Sequence, residues 1–284
     1  MKQGQDQWKV KIFEWGSFAL DGGAMFGIVP KVIWSKLTHP DADNRIPMSL
    51  RSLYLERGEQ RVLVDLGMGA QWDEKLKKIY KLETSPLDMI LQDKLGITTN
   101  DITHVVLTHL HFDHCGFLSQ FNEANKKWES SFKNAEIFLL KENFENAINP
   151  NHREKASYID YFWKDPLAKG QFKLLNANWL DTCEVLPGIQ MRRVDGHTRG
   201  QAIIYIDGMD APYLFMGDLC PTENHLKDVY VMGYDINAGL SVKEKQTILY
   251  EKNTLEHKIV FEHSATLPVS RLIQNEKGIV LAPQ

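Results

Sequence analysis

Apolar residues alternate with polar ones, or run together in short blocks, along most of this chain. These blocks predict strands over residues 9–13, 49–55, 61–64, 102–107, 135–140, 172–175, 183–186, 189–193, 202–206, 213–216 and 258–261. Helical spacing of apolar positions predicts two helices within 73–95, separated at Pro86 and ended by Gly96, and a third over roughly 241–256. Residues 117–134 are predicted to form a helix and a loop.

Residues 142–170 form an aromatic-rich segment that we predict to be helical. Its rings are Phe144, Tyr158, Tyr161, Phe162 and Trp163. A stripe of aromatic residues at helical spacing is typical of a core-facing surface. The segment is also long enough to cap the mouth of a site, where some of the rings would touch substrate.

Two glycine-rich stretches do not fit nucleotide-binding motifs. Residues 21–30 contain three glycines but lack the Gly-Lys-Ser/Thr ending of a phosphate loop, so a flexible loop with an apolar tip is expected. Residues 65–69 resemble the opening of a dinucleotide fingerprint, but Trp72 stands where the third glycine is required.

Four strong metal ligands lie within six positions, directly after the predicted strand 102–107. They are His109, His111, Asp113 and His114, and Gly116 follows them. In an extended segment the first three would share one face, while His114 would point elsewhere and suit a second metal. Imidazole and carboxylate ligands suit zinc, iron, cobalt or manganese. The alternative, a surface cluster of histidines, does not explain the strand before them.

Other ligand types recur where predicted strands end. His197 lies on a loop between two strands, Asp218 follows 213–216, and His263 follows 258–261. Asp65 follows 61–64, where it would either orient a ligand histidine or cap a turn. Because functional side chains collect on loops at strand ends, these positions predict one shared site.

Composition and charge narrow the class of protein. The 284 residues are 43% hydrophobic, enough for a sizeable core, and a net charge of −4 without a basic cluster argues against a nucleic-acid partner. We find no stretch that would span a bilayer and no apolar core of a secretory signal behind residues 1–7. Cys115, Cys183 and Cys220 form no CxxC pair, and their odd number favours a reducing compartment, so a cytoplasmic protein is expected.

Taken in order, these motifs resemble those of the metallo-β-lactamase-fold hydrolases. The matching residues are His109, His111, Asp113 and His114 (the HxHxDH signature), Gly196-His197-Thr198, Gly217-Asp218, His263 and the early aspartate Asp65. The resemblance implies an α+β fold, an αββα sandwich of two mixed sheets covered by helices. It also implies one domain over residues 1–284, with the segment 142–170 as its cap.

Within that family the chain is most similar to the N-acyl-homoserine lactonases and the related methyl-parathion-hydrolase group. The likeness is carried by residues 25–31, by 221–222, by His225 and by Tyr234-Asp235. Several lactonases have a tyrosine shortly after the aspartate that corresponds to Asp218, where this chain has Cys220, Pro221 and Thr222. If a hydrogen-bond donor is needed there, His225, Tyr230 or Tyr234 would have to supply it.

The resemblance also implies a role for each ligand. One divalent cation would be held by His109, His111 and His197, a second by Asp113, His114 and His263, and Asp218 would bridge both. A hydroxide between them would attack a carbonyl or phosphoryl centre, because metal binding lowers the pKa of water to about 7. Asp113 is the candidate proton shuttle to the leaving group. Zinc is the expected metal, with iron, cobalt and manganese as alternatives.

Three functions stay open. The first is a lactonase or esterase acting on an N-acyl-homoserine lactone in quorum quenching, with Met25, Phe26 and Trp34 lining a groove for the acyl tail. The second is a phosphotriesterase or arylesterase, and the third a metal-binding module without catalysis. The expected partner is a small-molecule substrate, with no nucleic acid and no membrane, and a homodimer is left open.

Overall fold

The computed structural model describes residues 7–276 and 278–283. The strands are β1 Lys9–Asp21, β2 Arg45–Arg57, β3 Gln60–Val64, β4 Glu83–Thr84, β5 His104–Val106, β6 Ser119–Asn122, β7 Lys127–Ser130, β8 Glu136–Leu140, β9 Phe172–Leu175, β10 Thr182–Leu186, β11 Ile189–Val194, β12 Gln201–Asp207, β13 Pro212–Phe215, β14 Lys258–Val260, β15 Val269–Ser270, β16 Leu272–Asn275 and β17 Gly278–Leu281. The α-helices are α1 Gly22–Phe26, α2 Lys31–Trp34, α3 Glu74–Tyr80, α4 Leu87–Leu95, α5 Phe112–Cys115, α6 Lys141–Ile148, α7 Lys164–Ala168, α8 Ala238–Leu249 and α9 Lys252–Glu256.

Two large mixed sheets organise the molecule. The first has the strand order β4-β1-β2-β3-β5-β8-β9, and the second has the order β10-β11-β12-β13-β14-β15. In the first sheet β3, β5, β8 and β9 run parallel to one another, and in the second β13 runs parallel to β14. Parallel neighbours place the carboxyl ends of successive strands at one edge, which brings residues distant in sequence together.

The two faces of each sheet enter different cores. On β2, Leu53 and Leu55 pack between the sheets, whereas Tyr54 belongs to the outer core of the first sheet. On β12, Ile204 packs between the sheets and Ile203 faces the outer core that contains residues of α8. This alternation follows from the two-residue period of a strand. The expected αββα sandwich is therefore confirmed.

The prediction of a helix and a loop over 117–134 is wrong. This segment contains the antiparallel hairpin β6–β7, in which Phe121 lies opposite Trp128 with ring centroids 5.8 Å apart. Aromatic residues favour strands, and the cross-strand pair stabilises the hairpin more than the local spacing favours a helix.

The segment 142–170 is less helical than its aromatic spacing predicts. Helix α6 ends at Ile148, shortly before Pro150, and only short 3₁₀ turns and α7 follow. Phe162 and Trp163 are buried in the outer core of the first sheet, as their helical spacing indicates. The turn-rich part of the segment still borders the cavity described below.

The glycine-rich stretch 21–30 is more ordered than a flexible loop. Asp21 caps α1 by accepting a hydrogen bond from the backbone N–H of Ala24 at 2.8 Å. Met25 and Phe26 are buried, and the exposed apolar residue is Ile28, which is 90% accessible.

Among the residues that the structure describes, none of the helices combines the length and the apolar character that a membrane crossing requires.

Candidate metal centre

The ligand-type residues meet at one edge of the two sheets. Asp65 directly follows β3, and the loop 107–116 follows β5, the parallel neighbour of β3. Asp218 and His263 follow β13 and β14, which are also parallel neighbours. His197 lies on the connection from β11 to β12. The fold thus brings all seven predicted ligands together, since their ligand atoms form neighbouring buried groups.

The loop 107–116 is not extended throughout, contrary to the spacing argument. Helix α5 begins at Phe112, so Asp113 and His114 lie on a helical turn. Asp113 consequently groups with His114 and His263, and not with His109 and His111. The grouping that the family resemblance implies, in which Asp113 belongs with His114, matches this geometry.

Gly116 lets this turn pack against the loop after β3. Its N–H donates to the Gly67 carbonyl at 2.7 Å, and a Cβ at this position would lie 1.9 Å from the Met68 carbonyl carbon. Any other residue would push the two loops apart. The close approach places Asp65 beside His114.

The first ligand group consists of His109, His111 and His197. His111 Nδ1 lies 3.1 Å from His197 Nε2, which lies 3.1 Å from Asp218 Oδ2. All three histidines are buried.

The second ligand group consists of Asp113, His114 and His263. His263 Nε2 lies 3.4 Å from His114 Nε2 and 3.7 Å from Asp113 Oδ2. Asp218 lies between the two groups, because its Oδ2 is 3.1 Å from His197 Nε2 of the first group and its Oδ1 is 3.2 Å from His263 Nε2 of the second. The nearest imidazole nitrogens of its two oxygens thus belong to different ligand groups.

Hydrogen bonds orient four of the five histidines so that Nε2 points inwards. Their Nδ1 atoms face Thr108 Oγ1 (His109, 3.0 Å), Asp65 Oδ2 (His114, 2.9 Å), Asp235 Oδ1 (His197, 3.0 Å) and the Ser49 carbonyl (His263, 2.9 Å). The Thr108 hydroxyl donates to Asp65 at 2.6 Å, so it accepts from His109. Each Nδ1–H therefore has an acceptor, which leaves Nε2 as the metal-binding nitrogen. His111 differs, because its Nδ1 is the inward atom.

Burial and neighbouring charge divide the histidines electrostatically. Burial lowers the pKa of His109 well below its ordinary value, and it also lowers the pKa of His111. Burial opposes protonation of His114 as well, but the carboxylates of Glu262 and Asp113 outweigh it and raise the pKa of His114 well above the ordinary value. Neutral imidazoles bind metals directly, whereas protonated ones must first lose a proton.

The pKa values of Asp218 and His263 depend on each other. Burial would raise the pKa of the Asp218 carboxyl, but the imidazoles of His197, His114 and His263 lower it far below its ordinary range. In return, Asp218 raises the pKa of His263 to about 9 against the effect of burial. Cation binding must therefore displace protons from this cluster.

The donor set fits divalent cations. His109 Nε2 and Asp218 Oδ1 are buried and have no hydrogen-bond partner among the described residues. Buried polar atoms without partners are rare and usually indicate a bound water or ion. Imidazole nitrogens and carboxylate oxygens are the ligands of catalytic zinc sites, and a shared carboxylate can bridge two ions. The residues present thus satisfy the chemistry of a two-metal site.

A cavity of about 280 Å³ opens onto the cluster. His111, Asp113, His197, Asp218 and His263 form its base. Its apolar walls are Leu20, Met25, Met48, Phe112 and Met232, and its polar walls are Tyr80, Arg153, Glu154, Ser157 and Tyr234. A mostly apolar cleft with a few converging polar groups is typical of a small-molecule site.

The four residues predicted to orient ligands or to contact substrate differ in whether they reach the cavity. Met25 lines the cavity, and Asp65 hydrogen bonds to His114. Phe26 and His225 lie behind the wall, where they stack on each other with ring centroids 4.8 Å apart. Of the three candidate donors, Tyr234 lines the cavity, whereas His225 and Tyr230 do not.

Several residues at the site were missed by sequence reasoning. Glu262 Oε1 lies 3.1 Å from His114 Nδ1, and its position beside His263 is a signal that could have identified it. Asp235 was noted only as part of Tyr234-Asp235, yet it orients His197. Arg153 and Glu154 line the cavity, and no motif in the sequence distinguishes them from surface charges.

Comparison with known proteins gives consistent relationships. The sequence profile of the metallo-β-lactamase superfamily matches residues 50–263. An N-acyl homoserine lactonase from a Bacillus species is 25% identical over 243 residues, which cover 81% of this chain and 84% of that protein.

Solved structures agree with these relationships. One described as a probable metal-dependent hydrolase from Staphylococcus aureus has a TM-score of 0.83 and 26% identity, and the match covers 100% of this chain and 99% of that one. A dizinc quorum-quenching lactonase, solved with the product N-hexanoyl-L-homoserine, shares the fold with a TM-score of 0.74, 18% identity and 98% coverage of both chains. The chain therefore belongs to the metallo-β-lactamase superfamily and carries the buried histidine and aspartate cluster of a metal-dependent hydrolase.

Proposed function

We propose that this protein is a dinuclear metal-dependent hydrolase that opens a lactone or an ester, with N-acyl-homoserine lactones as the first candidates. The observation that carries the proposal is the pair of ligand groups that share Asp218 at the base of a partly apolar cavity. The lactonases among the relatives and the dizinc lactonase with the same fold support this choice of substrate and of zinc.

Two divalent cations, when bound, would supply a hydroxide at neutral pH and polarise the oxygen of the scissile carbonyl. His109, His111 and His197 would hold one cation, Asp113, His114 and His263 the other, and Asp218 would contact both. Asp113 faces the cavity, so its carboxylate can take up a proton and pass it to the departing alkoxide. Cys115 takes no part, because it is fully buried and burial raises the pKa of its thiol.

Two tyrosine hydroxyls are placed to bind substrate oxygens. Tyr80 and Tyr234 line the cavity, and burial raises the pKa of both, that of Tyr234 to about 12. Both hydroxyls are therefore protonated at neutral pH and able to donate a hydrogen bond. Tyr234 is our candidate for the donor that several lactonases place shortly after the bridging aspartate.

The charge of the cavity favours neutral substrates over anionic ones. Among the described residues that line it, Arg153 is the one lysine or arginine. Lys31, Arg51 and Arg199 do not line it. A phosphodiester or nucleic-acid substrate would need a larger cationic surface to offset its charge.

A panel of three bond types tests the proposal. Purified zinc-loaded protein is assayed with acyl-homoserine lactones of several tail lengths, with aryl esters and with a neutral phosphotriester. We expect lactone opening, seen as proton release, to be the fastest reaction and to be lost in Asp113→Asn. Faster turnover of the phosphotriester would favour a phosphotriesterase, and inertness towards all three types would refute hydrolysis. Metal analysis should find about two equivalents, one of which should be lost when His109 and His197 are both changed to alanine.

A further inference from the structure

Glu154 is a buried carboxylate at the site that has no role in the proposed reaction. Its side chain is 4% exposed, and it belongs to the turn-rich part of the segment 142–170 that borders the cavity. Burying a carboxylate is costly unless hydrogen bonds or a positive charge compensate for the lost hydration.

The hydrogen-bond partners of Glu154 are neutral. Its Oε1 accepts from the side-chain amides of Asn146 and Asn151 at 3.0 and 2.5 Å, and its Oε2 accepts from the Thr198 hydroxyl at 2.7 Å. Among the described residues it forms no ion pair with a lysine or an arginine. The ionisable group that it faces is His111, whose Nε2 lies 3.8 Å from Glu154 Oε2.

His111 is the exception among the five ligand histidines. In the other four, Nδ1 faces an oxygen within 3.0 Å and Nε2 points inwards. In His111 the inward atom is Nδ1, 3.1 Å from His197 Nε2, and Nε2 has no hydrogen-bond partner among the described residues. Its outward nitrogen is directed towards the Glu154 side and lacks the acceptor that each of the others has.

The surroundings hold both side chains in this arrangement. The ring of Tyr158 contacts the ring of His111 with centroids 4.7 Å apart, and the Tyr158 hydroxyl lies 2.7 Å from Thr198 Oγ1. Thr198 is the neighbour of His197 and donates to Glu154. A small rotation of His111 would convert the 3.8 Å separation into a hydrogen bond.

We propose that Glu154 is a positioning residue for the first ligand group. Its carboxylate keeps the proton of neutral His111 on Nε2, so that Nδ1 offers its lone pair to a cation. An ionised carboxylate can only accept hydrogen bonds, and it therefore selects the tautomer that donates towards it. The inference rests on the metal-binding part of the proposed function and not on any substrate.

The variant Glu154→Gln tests this role, because it keeps the size of the side chain and removes its charge. In the metal-free protein, the ring nitrogen signals of His111 in long-range ¹H–¹⁵N spectra should report a proton on Nε2 in the wild type and a mixture of tautomers in the variant. In calorimetric titration with zinc, one of the two equivalents should bind ten- to hundredfold more weakly, with the other unchanged. Glu145→Gln, an exposed change in the same segment, should alter neither readout.

The variant Asn151→Ala separates the proposed role of Glu154 from a merely structural one. It removes a hydrogen bond between the loop and Glu154 but leaves the carboxylate in place, so our proposal predicts wild-type zinc affinity and an unchanged His111 tautomer. An unchanged tautomer and affinity in Glu154→Gln would overturn the proposal, and so would an equal loss of affinity in Asn151→Ala.

If Glu154→Gln does not fold, Glu154→Asp is tested in its place, because it moves the charge away from His111 by one methylene. Wild-type zinc affinity in Glu154→Asp would overturn the proposal. Inactivity of the wild type towards every ester would refute the proposed hydrolysis but leave these binding and spectroscopic readouts unaffected.

Discussion

The two ligand groups are held by different parts of the molecule. The second group, Asp113, His114 and His263, is fixed by residues of the first sheet and of the loop that follows β3. Asp65 accepts from His114, and β2 binds the segment of His263 through its backbone, with Ser49 N–H donating to the His263 carbonyl at 3.2 Å. Arg51 adds a buried guanidinium that donates to the carbonyls of Phe261 and Ser264.

The first group, His109, His111 and His197, depends more on loops that also build the cavity. Asp235 orients His197 and adjoins Tyr234 in the cavity wall. Glu154, which faces His111, is itself part of that wall. We infer that the second cation site is rigid, whereas the first is coupled to the wall that receives substrate. The four predictions below test this difference.

The largest effect is expected for Asp65→Ala. Asp65 accepts from the backbone N–H of Thr108 at 2.7 Å, from its hydroxyl at 2.6 Å and from His114 at 2.9 Å, and all of these groups are buried. Removing the carboxylate takes the acceptor away from two buried donors of Thr108 and leaves His114 Nδ1 with Glu262 alone, so the free energy of unfolding should fall by about 3–5 kcal/mol. Urea unfolding and metal analysis should show lower stability and loss of the second cation. Asp65→Asn should lower the free energy of unfolding by less, because asparagine tolerates the positive φ of 54° at this position.

Arg51→Met should have the next largest effect. The change leaves buried carbonyls without donors and should lower the free energy of unfolding by about 2–4 kcal/mol. The segment 261–264 would loosen, so zinc titration should show weaker binding at one site only. Arg61→Met removes a partly exposed arginine elsewhere in the same sheet and is the matched control. Equal weakening of both sites would argue against a separate support for the second group.

Asp235→Asn should weaken the first site with little effect on folding. Asp235 Oδ1 lies 3.0 Å from His197 Nδ1, and loss of the charged acceptor should lower the affinity of one cation about ten- to hundredfold. Competition with a chelator measures the change. The combination of Asp235→Asn with Arg51→Met should weaken both sites additively, because the two supports share no partner. A loss confined to the second cation in Asp235→Asn would contradict the comparison.

The smallest effect is a dependence of stability on pH that arises from His225, which lies behind the cavity wall and supports Met25. His225 accepts from the Thr222 hydroxyl at 2.7 Å and donates to the Met25 carbonyl at 2.9 Å, and burial lowers its pKa to about 4. Its folded pKa lies below the unfolded value of about 6.5, so its stabilising contribution is present above pH 6.5 and is lost as the pH falls towards 4. Between pH 7 and pH 5 we expect a loss of about 1–2 kcal/mol. Denaturant unfolding of the wild type and His225→Gln should show a smaller loss in the variant.

Sequence reasoning worked where local pattern and chemistry coincide. Two helices form within 73–95 as predicted, and the second ends at Gly96, which is in the left-handed conformation. The first ends earlier than predicted, at Tyr80, because strand β4 lies between it and Pro86. The apolar strands before Asp65, Asp218 and His263 are present, because a buried strand leaves a readable apolar run. The hairpin at 119–130 was missed because Phe121 and Trp128, which lie opposite each other in it, are spaced in sequence as on one face of a helix.

The grouping of the ligands needed both motif and geometry. The spacing of His109, His111 and Asp113 suggested one face, but the turn of α5 directs Asp113 to the other group. The helical turn that follows Leu110 packs through Gly116 against the loop after β3, and that contact is tertiary, so the local spacing of the ligands does not reveal it.

By itself, the sequence determined which residues are able to bind cations and that they follow apolar strands. Residue type decides the chemistry of a ligand, and apolar periodicity decides where strands end. The tertiary structure alone decided which acceptor faces each histidine and which side chains enclose the cavity. Asp235 lies 38 residues from His197, and Glu154 lies 43 residues from His111, so only the packing of loops against the sheet edge brings them together.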